Sequence, residues 1–273
     1  MRKGQHLQWP PLVVQRGRRL RYDEAMRKLA IIVGFISLAT LACGHTGAGA
    51  LAPAPASIRG TPQSGPALSG QQPVGPLAGG FADAADDGSY YQRMAHVLEI
   101  GDIEQARSID FARLRRGSML RSHAAGPPAE GDLRKAMKSR DEARIAEAAR
   151  AVLAQDATYL EAHIVLVVLD HAAGRDKDAA LHDIFAKGIV ESMGRSGNGR
   201  SMKTAFRVFF VREEYDLMRI EGCQVLRQSL TSEGGKSFDI LRVKNEKGVE
   251  QDVYFDITEL FAEEAKLFGT RAR

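Results

Sequence analysis

The residues best suited to chemistry lie in the second half of the chain. Gly194-Arg-Ser-Gly-Asn-Gly199-Arg200-Ser201 has the glycine spacing of a phosphate-binding loop, except that Arg200 stands where such loops carry lysine. A lysine ammonium reaches terminal phosphates as a point charge, which arginine's planar fork does not reproduce. Such a loop must also leave a strand and open a helix, so that its amides face the anion. Here helical spacing precedes it and an apolar, strand-like run follows. The stretch is read as a connector, with Ser196, Asn198 and Arg200 as candidates for holding a small anion on clustered amides.

His163 and His171 are eight residues apart, on the helical stripe of Leu160, Ile164, Val167 and Val168. Metal binding on one helix favours histidines four apart, and that spacing is absent. A buried, hydrogen-bonded histidine is expected at 163, and neither metal nor cofactor is expected. His182 falls off the stripe of Leu181, Ile184 and Phe185, which predicts a more exposed ring able to accept a proton. No Ser or Cys in an elbow motif accompanies it. Glu213-Glu214-Tyr215 follows an apolar run, where acidic residues suit the first turn of a helix. Pairing of Glu213 or Glu214 with Asp256 or Glu259 for acid/base work is conceivable chemistry, but no spacing singles it out. No catalytic residue is assigned.

Cys43 and Cys223 are the two cysteines. Cys43 ends the run Met26-Arg-Lys-Leu-Ala-Ile-Ile-Val-Gly-Phe-Ile-Ser-Leu-Ala-Thr-Leu-Ala-Cys43, which has the parts of a bacterial export signal. Its apolar stretch, 29–42, is shorter than the roughly 20 residues that span a bilayer. Thr40-Leu41-Ala42-Cys43 resembles a lipobox, so Cys43 is the expected site of lipidation and residues 26–43 the signal peptide. A signal cleaved near Ala48-Gly49-Ala50 is the alternative. Cys223 is then left without a partner and is read as a small core residue.

This signal predicts that Met26 is the true start and that residues 1–25 are a disordered start-site artefact. Those residues carry six Lys/Arg and two Asp/Glu, and Arg27 and Lys28 add two more cations. From Cys43 onward the chain holds 30 Lys/Arg against 32 Asp/Glu, so the formal +4 of the whole chain gives no reason to expect nucleic acid. Residues 44–88 hold six of the ten prolines and ten of the 27 glycines and read as a disordered linker.

The elements that position these groups follow. Tyr90, Tyr91, Met94, Val97 and Leu98 share a helical face, and Gly101-Asp102 ends that helix and opens the next. A looser segment is expected before Ile145, Ala148, Ala149, Val152 and Leu153 mark another helical stripe. Tyr159 to Ala173 is apolar nearly all round, as in a buried helix, and Asp176 to Met193 supplies a third stripe. Arg140-Asp141-Glu-Ala and Arg175-Asp176-Lys-Asp-Ala recur 35 residues apart, a spacing like that of tetratricopeptide hairpins. Fewer than three such repeats are visible, so another element must cover the end of the array. Ala205–Val211 and Val225–Leu230 read as strands, Phe238–Lys244 and Val249–Ile257 as a hairpin around Asn245-Glu-Lys-Gly248, and Leu260 onward as a last helix. The expected fold is α+β. Tetratricopeptide-like hairpins over 89–200 pack on a small antiparallel sheet in an α/β region over 201–273.

Several blocks together resemble a known family. They are Tyr91, Gly101-Asp102, Asp110-Phe111-Ala-Arg-Leu114-Arg115, Leu160-Glu-Ala-His163, His182 with Phe185, Ser196-Gly-Asn-Gly-Arg-Ser201, Thr204-Ala-Phe206, Glu213-Glu214-Tyr215 and Val253-Tyr-Phe255. This pattern is similar to domain-of-unknown-function family 4919, exported bacterial proteins with a tetratricopeptide-like helical part. The stretch after Leu114 departs from the Tyr/Pro-rich sequence of that pattern. The resemblance implies fold and boundaries and brings no activity. It carries over His163, His182, Ser196, Asn198, Arg200, Glu213, Glu214 and Tyr215 as site candidates.

The combined expectation is a lipid-anchored protein on the periplasmic face of the envelope, in the outer membrane because Gly44 rather than Asp follows Cys43. Its expected role is non-enzymatic, with a protein or peptide partner. The alternative is a hydrolase or small-anion binder using the Ser196–Ser201 loop with His182 and Glu214.

Overall fold

The computed structural model describes residues 84–122, 126–139 and 141–270. The signal segment, Cys43 and the stretch read as residues 1–25 lie outside the described residues. Helix α1 (Ala84–Ile100) begins inside the segment read as linker. It stops at Gly101, whose φ of 71° suits a residue without a side chain. Asp102 then caps the one-turn α2 (Ile103–Ala106) by accepting from the Gln105 amide at 3.0 Å.

The segment expected to be loose contains two helices, α3 (Phe111–Ser122) and α4 (Glu130–Ser139). The reason it escapes a periodicity reading is visible in α3. Arg115 is 1 % exposed there and Ser118 is also buried, beside Leu114 and Met119. An inward face that includes arginine and serine breaks the apolar stripe by which helices are recognised. Helices α5 (Glu142–Gln155), α6 (Leu160–Ala172) and α7 (Asp176–Gly194) follow as expected, with Asp141 capping α5 through the amides of Ala143 and Arg144.

A 3-10 turn, Met202–Thr204, leads to the sheet, made of β1 (Phe206–Arg207), β2 (Gln224–Glu233), β3 (Lys236–Lys244) and β4 (Glu250–Asp256). Its order is β1-β4-β3-β2. The β2–β3 and β3–β4 pairs are antiparallel, and β1 joins β4 in parallel. Helix α8 (Val211–Ile220) lies between β1 and β2 in sequence, and α9 (Thr258–Thr270) ends the described chain. The architecture is α+β, as the sequence pattern predicts.

The expected strand over Ala205–Val211 needs correction. Only Phe206 and Arg207 pair, although Val208, Phe209 and Phe210 are buried. Their backbone is satisfied differently: Val208 N donates to Asp256 O, Phe209 N to Glu213 Oε2, and Arg207 O accepts from Arg115 Nη2 at 3.1 Å. A main core runs from Tyr91 and Val97 through Phe185 and Ile189 to Leu241, Phe255 and Leu260, so helices and sheet share it. A smaller core joins α4, α5 and α6 through Leu133, Val152 and Leu166.

Candidate functional site: a cleft in the helical array

The described helices enclose an open cleft of about 870 Å³. Its walls come from α1 (Gln92, Leu98), α3 (Arg121), α5 (Arg150), α6 (Asp170) and α7 (Lys177, His182). Asp170, fully buried in the last turn of α6, holds the neighbouring elements together. Its Oδ1 accepts from Arg150 Nη2 of α5 at 2.7 Å and from Arg175 Nε at 2.9 Å, just ahead of α7. Its Oδ2 is buried and meets no donor.

His182 on the cleft wall ends a buried chain of hydrogen bonds that fixes the tautomers of two histidines. His163 Nε2 lies 2.9 Å from the Ala157 carbonyl, which can only accept. His163 therefore bears its hydrogen on Nε2. Burial above all, then His182 nearby, pushes its pKa down to about 3, so the ring is neutral and Nδ1 is a lone pair. His182 Nδ1, 3.1 Å away, must donate to it. Burial also depresses His182, to about 4 against an upward pull from Asp170, so its Nε2 is an acceptor. That nitrogen faces Asp170 Oδ2 at 3.7 Å. His163 is buried and hydrogen-bonded, in agreement with the sequence reading. The expectation of a more exposed His182 is corrected: it is 8 % exposed, because α6 covers it through His163.

The other candidates sit elsewhere. Ser196 Oγ donates to Met193 O at 2.6 Å and accepts from Arg207 N at 2.8 Å. Asn198 Oδ1 accepts from Arg200 N, and the amides of Asn198 and Gly199 both donate to Thr204 O. The loop closes on itself and on the sheet, with Gly199 O accepting from Tyr254 N at 2.9 Å. Gly199 has φ of 67°, and an added Cβ would strike Phe206 at 2.4 Å.

Glu213, Glu214 and Tyr215 are consecutive near the start of α8 yet part company. Glu213 forms a buried ion pair with Arg115, which also donates to Ser192 Oγ at 3.1 Å. Both oxygens of Glu214 are buried without a donor and face Asp239, whose Oδ1 is likewise unsatisfied. Burial first, then the Asp239 charge and a hydrogen bond with it, push Glu214 up to about 9. Glu214 is therefore an acid at neutral pH, and its proton serves the carboxyl pair. Tyr215 Oη donates to Gln228 Oε1 at 2.7 Å, and Gln228 Nε2 donates to Asp239 Oδ2. His182, the 196–201 loop and Glu214 are three separate places in the fold.

The family described as Domain of unknown function (DUF4919) matches residues 129–266, half of the chain. The chain belongs to the DUF4919 family. Neither a curated protein nor a solved structure matches it. The DUF4919 match takes in α4 to α8, the whole sheet, the His163–His182 pair and most of α9, and leaves α1 to α3 ahead of it. Yet Gln92, Leu98 and Arg121 of the cleft belong to those earlier helices. Arg115, named only within the family pattern, and Asp239 are not among the site candidates of the sequence reading. Arg115 sits in a charge-rich stretch without a stripe, and Asp239 stands between Phe238 and the apolar Ile240-Leu241, which is the one signal that could have singled it out. Among the described residues no group of three His, Cys, Asp or Glu could hold a metal ion, and no helix is long and apolar enough to cross a membrane.

Proposed function

We propose that this DUF4919 protein is a cell-envelope lipoprotein, anchored through Cys43, whose helical region holds a segment of another envelope protein. The observation that carries this reading is the cleft between α1, α3, α5 and α7. It has room for several side chains and lines apolar Leu98 and Leu181 with Arg121, Arg150 and Lys177, a mixture suited to a peptide rather than to a lipid tail. The catalytic alternative finds less support. The Ser196 hydroxyl and the amides of Asn198 and Gly199 are spent within the structure, and His182 Nδ1 is committed to His163.

A photo-crosslinking residue at Ala154, on the cleft wall, should capture one defined envelope protein. The same residue at the exposed Glu147, outside the cleft, should not. Equal capture at both positions, or none at Ala154, removes the reading. The anchor is tested by palmitate labelling, which should disappear with Cys43→Ser.

A further inference from the structure

Strand β2 is the longest strand of the sheet and forms its outer edge. It is exposed along nearly its whole length, with only Val225 and Thr231 half-buried. A strand so placed presents backbone donors and acceptors that no neighbouring strand takes up. Its side chains are also incomplete in a specific way. Elsewhere in the sheet Arg242 pairs with Asp252 and Glu250, and Lys236 with Asp256. Arg227 and Glu233 of β2 form no ion pair among the described residues. Between them stands Leu230, 60 % exposed, the most exposed large apolar side chain described.

We propose that β2 pairs antiparallel with β2 of a second copy of this chain, about a two-fold axis through Leu230. In this register Leu230 lies opposite Leu230 of the other copy, Gln228 opposite Ser232, Ser229 opposite Thr231 and Arg227 opposite Glu233. The faces agree as well. Arg227, Ser229, Thr231 and Glu233 alternate with Gln228, Leu230 and Ser232, so both ion pairs form on one face and the leucine contact on the other. A slip of one residue sets Arg227 against Ser232 and loses both ion pairs. The irregularity between Val225 and Arg227 bends the strand where the matched stretch begins. The result is one sheet continued across two copies, an isologous contact that closes on itself.

Sedimentation equilibrium of the full chain in detergent tests this. The wild type should show a monomer–dimer equilibrium. Arg227→Glu and Glu233→Arg should each weaken the dimer about tenfold, because each sets like charges opposite one another twice. The Arg227→Glu/Glu233→Arg double variant should restore it. Both changed positions are exposed, and circular dichroism checks that the fold of each variant is intact. A monomer at every concentration overturns the proposal, and so does a dimer indifferent to the swaps.

Discussion

Arg115 and Glu213 meet fork to fork inside the protein, Nε to Oε1 at 2.8 Å and Nη2 to Oε2 at 2.7 Å, although 98 positions separate them. The pair ties α3 of the helical array to α8 beside the sheet. Through Arg207 O and Phe209 N it also satisfies the backbone of the segment that leads from β1 into α8. Removing one partner strands the other charge in the core. Arg115→Met or Glu213→Leu should each cost about 3–5 kcal/mol in urea unfolding. The double variant should cost clearly less than the sum of the two. Additive losses would show that the two groups act independently.

Glu214 gives the protein an alkaline weakness. Its pKa is raised from 4.5 to about 9 in the fold, so the folded state holds a proton that the unfolded chain releases. Its contribution is fully present below pH 4.5 and is lost as pH rises through about 9. Asp216, raised to about 7 mainly by burial, acts in the same sense. Glu214→Gln keeps an N–H for Asp239 and carries no proton to lose. The urea midpoint of the variant should fall less between pH 6 and pH 9 than that of the wild type. Parallel curves would place the proton elsewhere.

The histidine pair gives the opposite flank. Both rings are depressed well below 6.5, to about 3 and about 4, so their contribution is present above pH 6.5 and lost as pH falls through those values. Nitrogen NMR should find His163 protonated on Nε2 and His182 on Nδ1 at neutral pH, with neither titrating above pH 5. A ring titrating near 6.5, or the opposite tautomers, would contradict the hydrogen-bond chain from Ala157.

Gly188 is the point at which α7 receives Phe111 of α3. A Cβ added there would sit 2.1 Å from the Phe111 ring. Phe111 itself packs edge-on against Phe185, with ring centroids 5.5 Å apart, so it has little room to withdraw. Gly188→Ala should destabilise by about 1–3 kcal/mol. Phe111→Leu in the same chain should recover part of that loss, both read from thermal unfolding. An unchanged Tm for Gly188→Ala would show that the helices separate freely.

The regular parts of this fold were legible because their burial has a period. The stripe at Ala149, Val152 and Leu153, the largely apolar α6 and the alternation of Val253, Phe255 and Ile257 each report residues turned inward. What stayed hidden is where charge goes inside. Arg115, Glu213, Glu214, Asp170 and Asp239 are buried at 2 % exposure or less, and a residue-by-residue pattern sends such side chains to the surface. Their partners lie far away in sequence: Arg115 meets Glu213 from α3, and the cleft joins α1 to α7. His182 was misjudged for the same reason, since only the packing of α6 on α7 shows that His163 covers it. The Gly-rich loop is a connector, as its context predicts, and its anion-holding candidates Ser196 and Asn198 serve the loop itself because amide-rich turns suit anions and sheet edges equally well.

That loop has one more consequence. The sheet's two margins are unequal: β1 contributes only two residues, and just beyond them the Gly199 carbonyl occupies the Tyr254 amide. A plugged margin opposite an open one makes the sheet a one-ended building block. Copies that join at β2 leave no sticky end for a third. Crowding such molecules on a surface would then yield discrete couples and not a growing fibre.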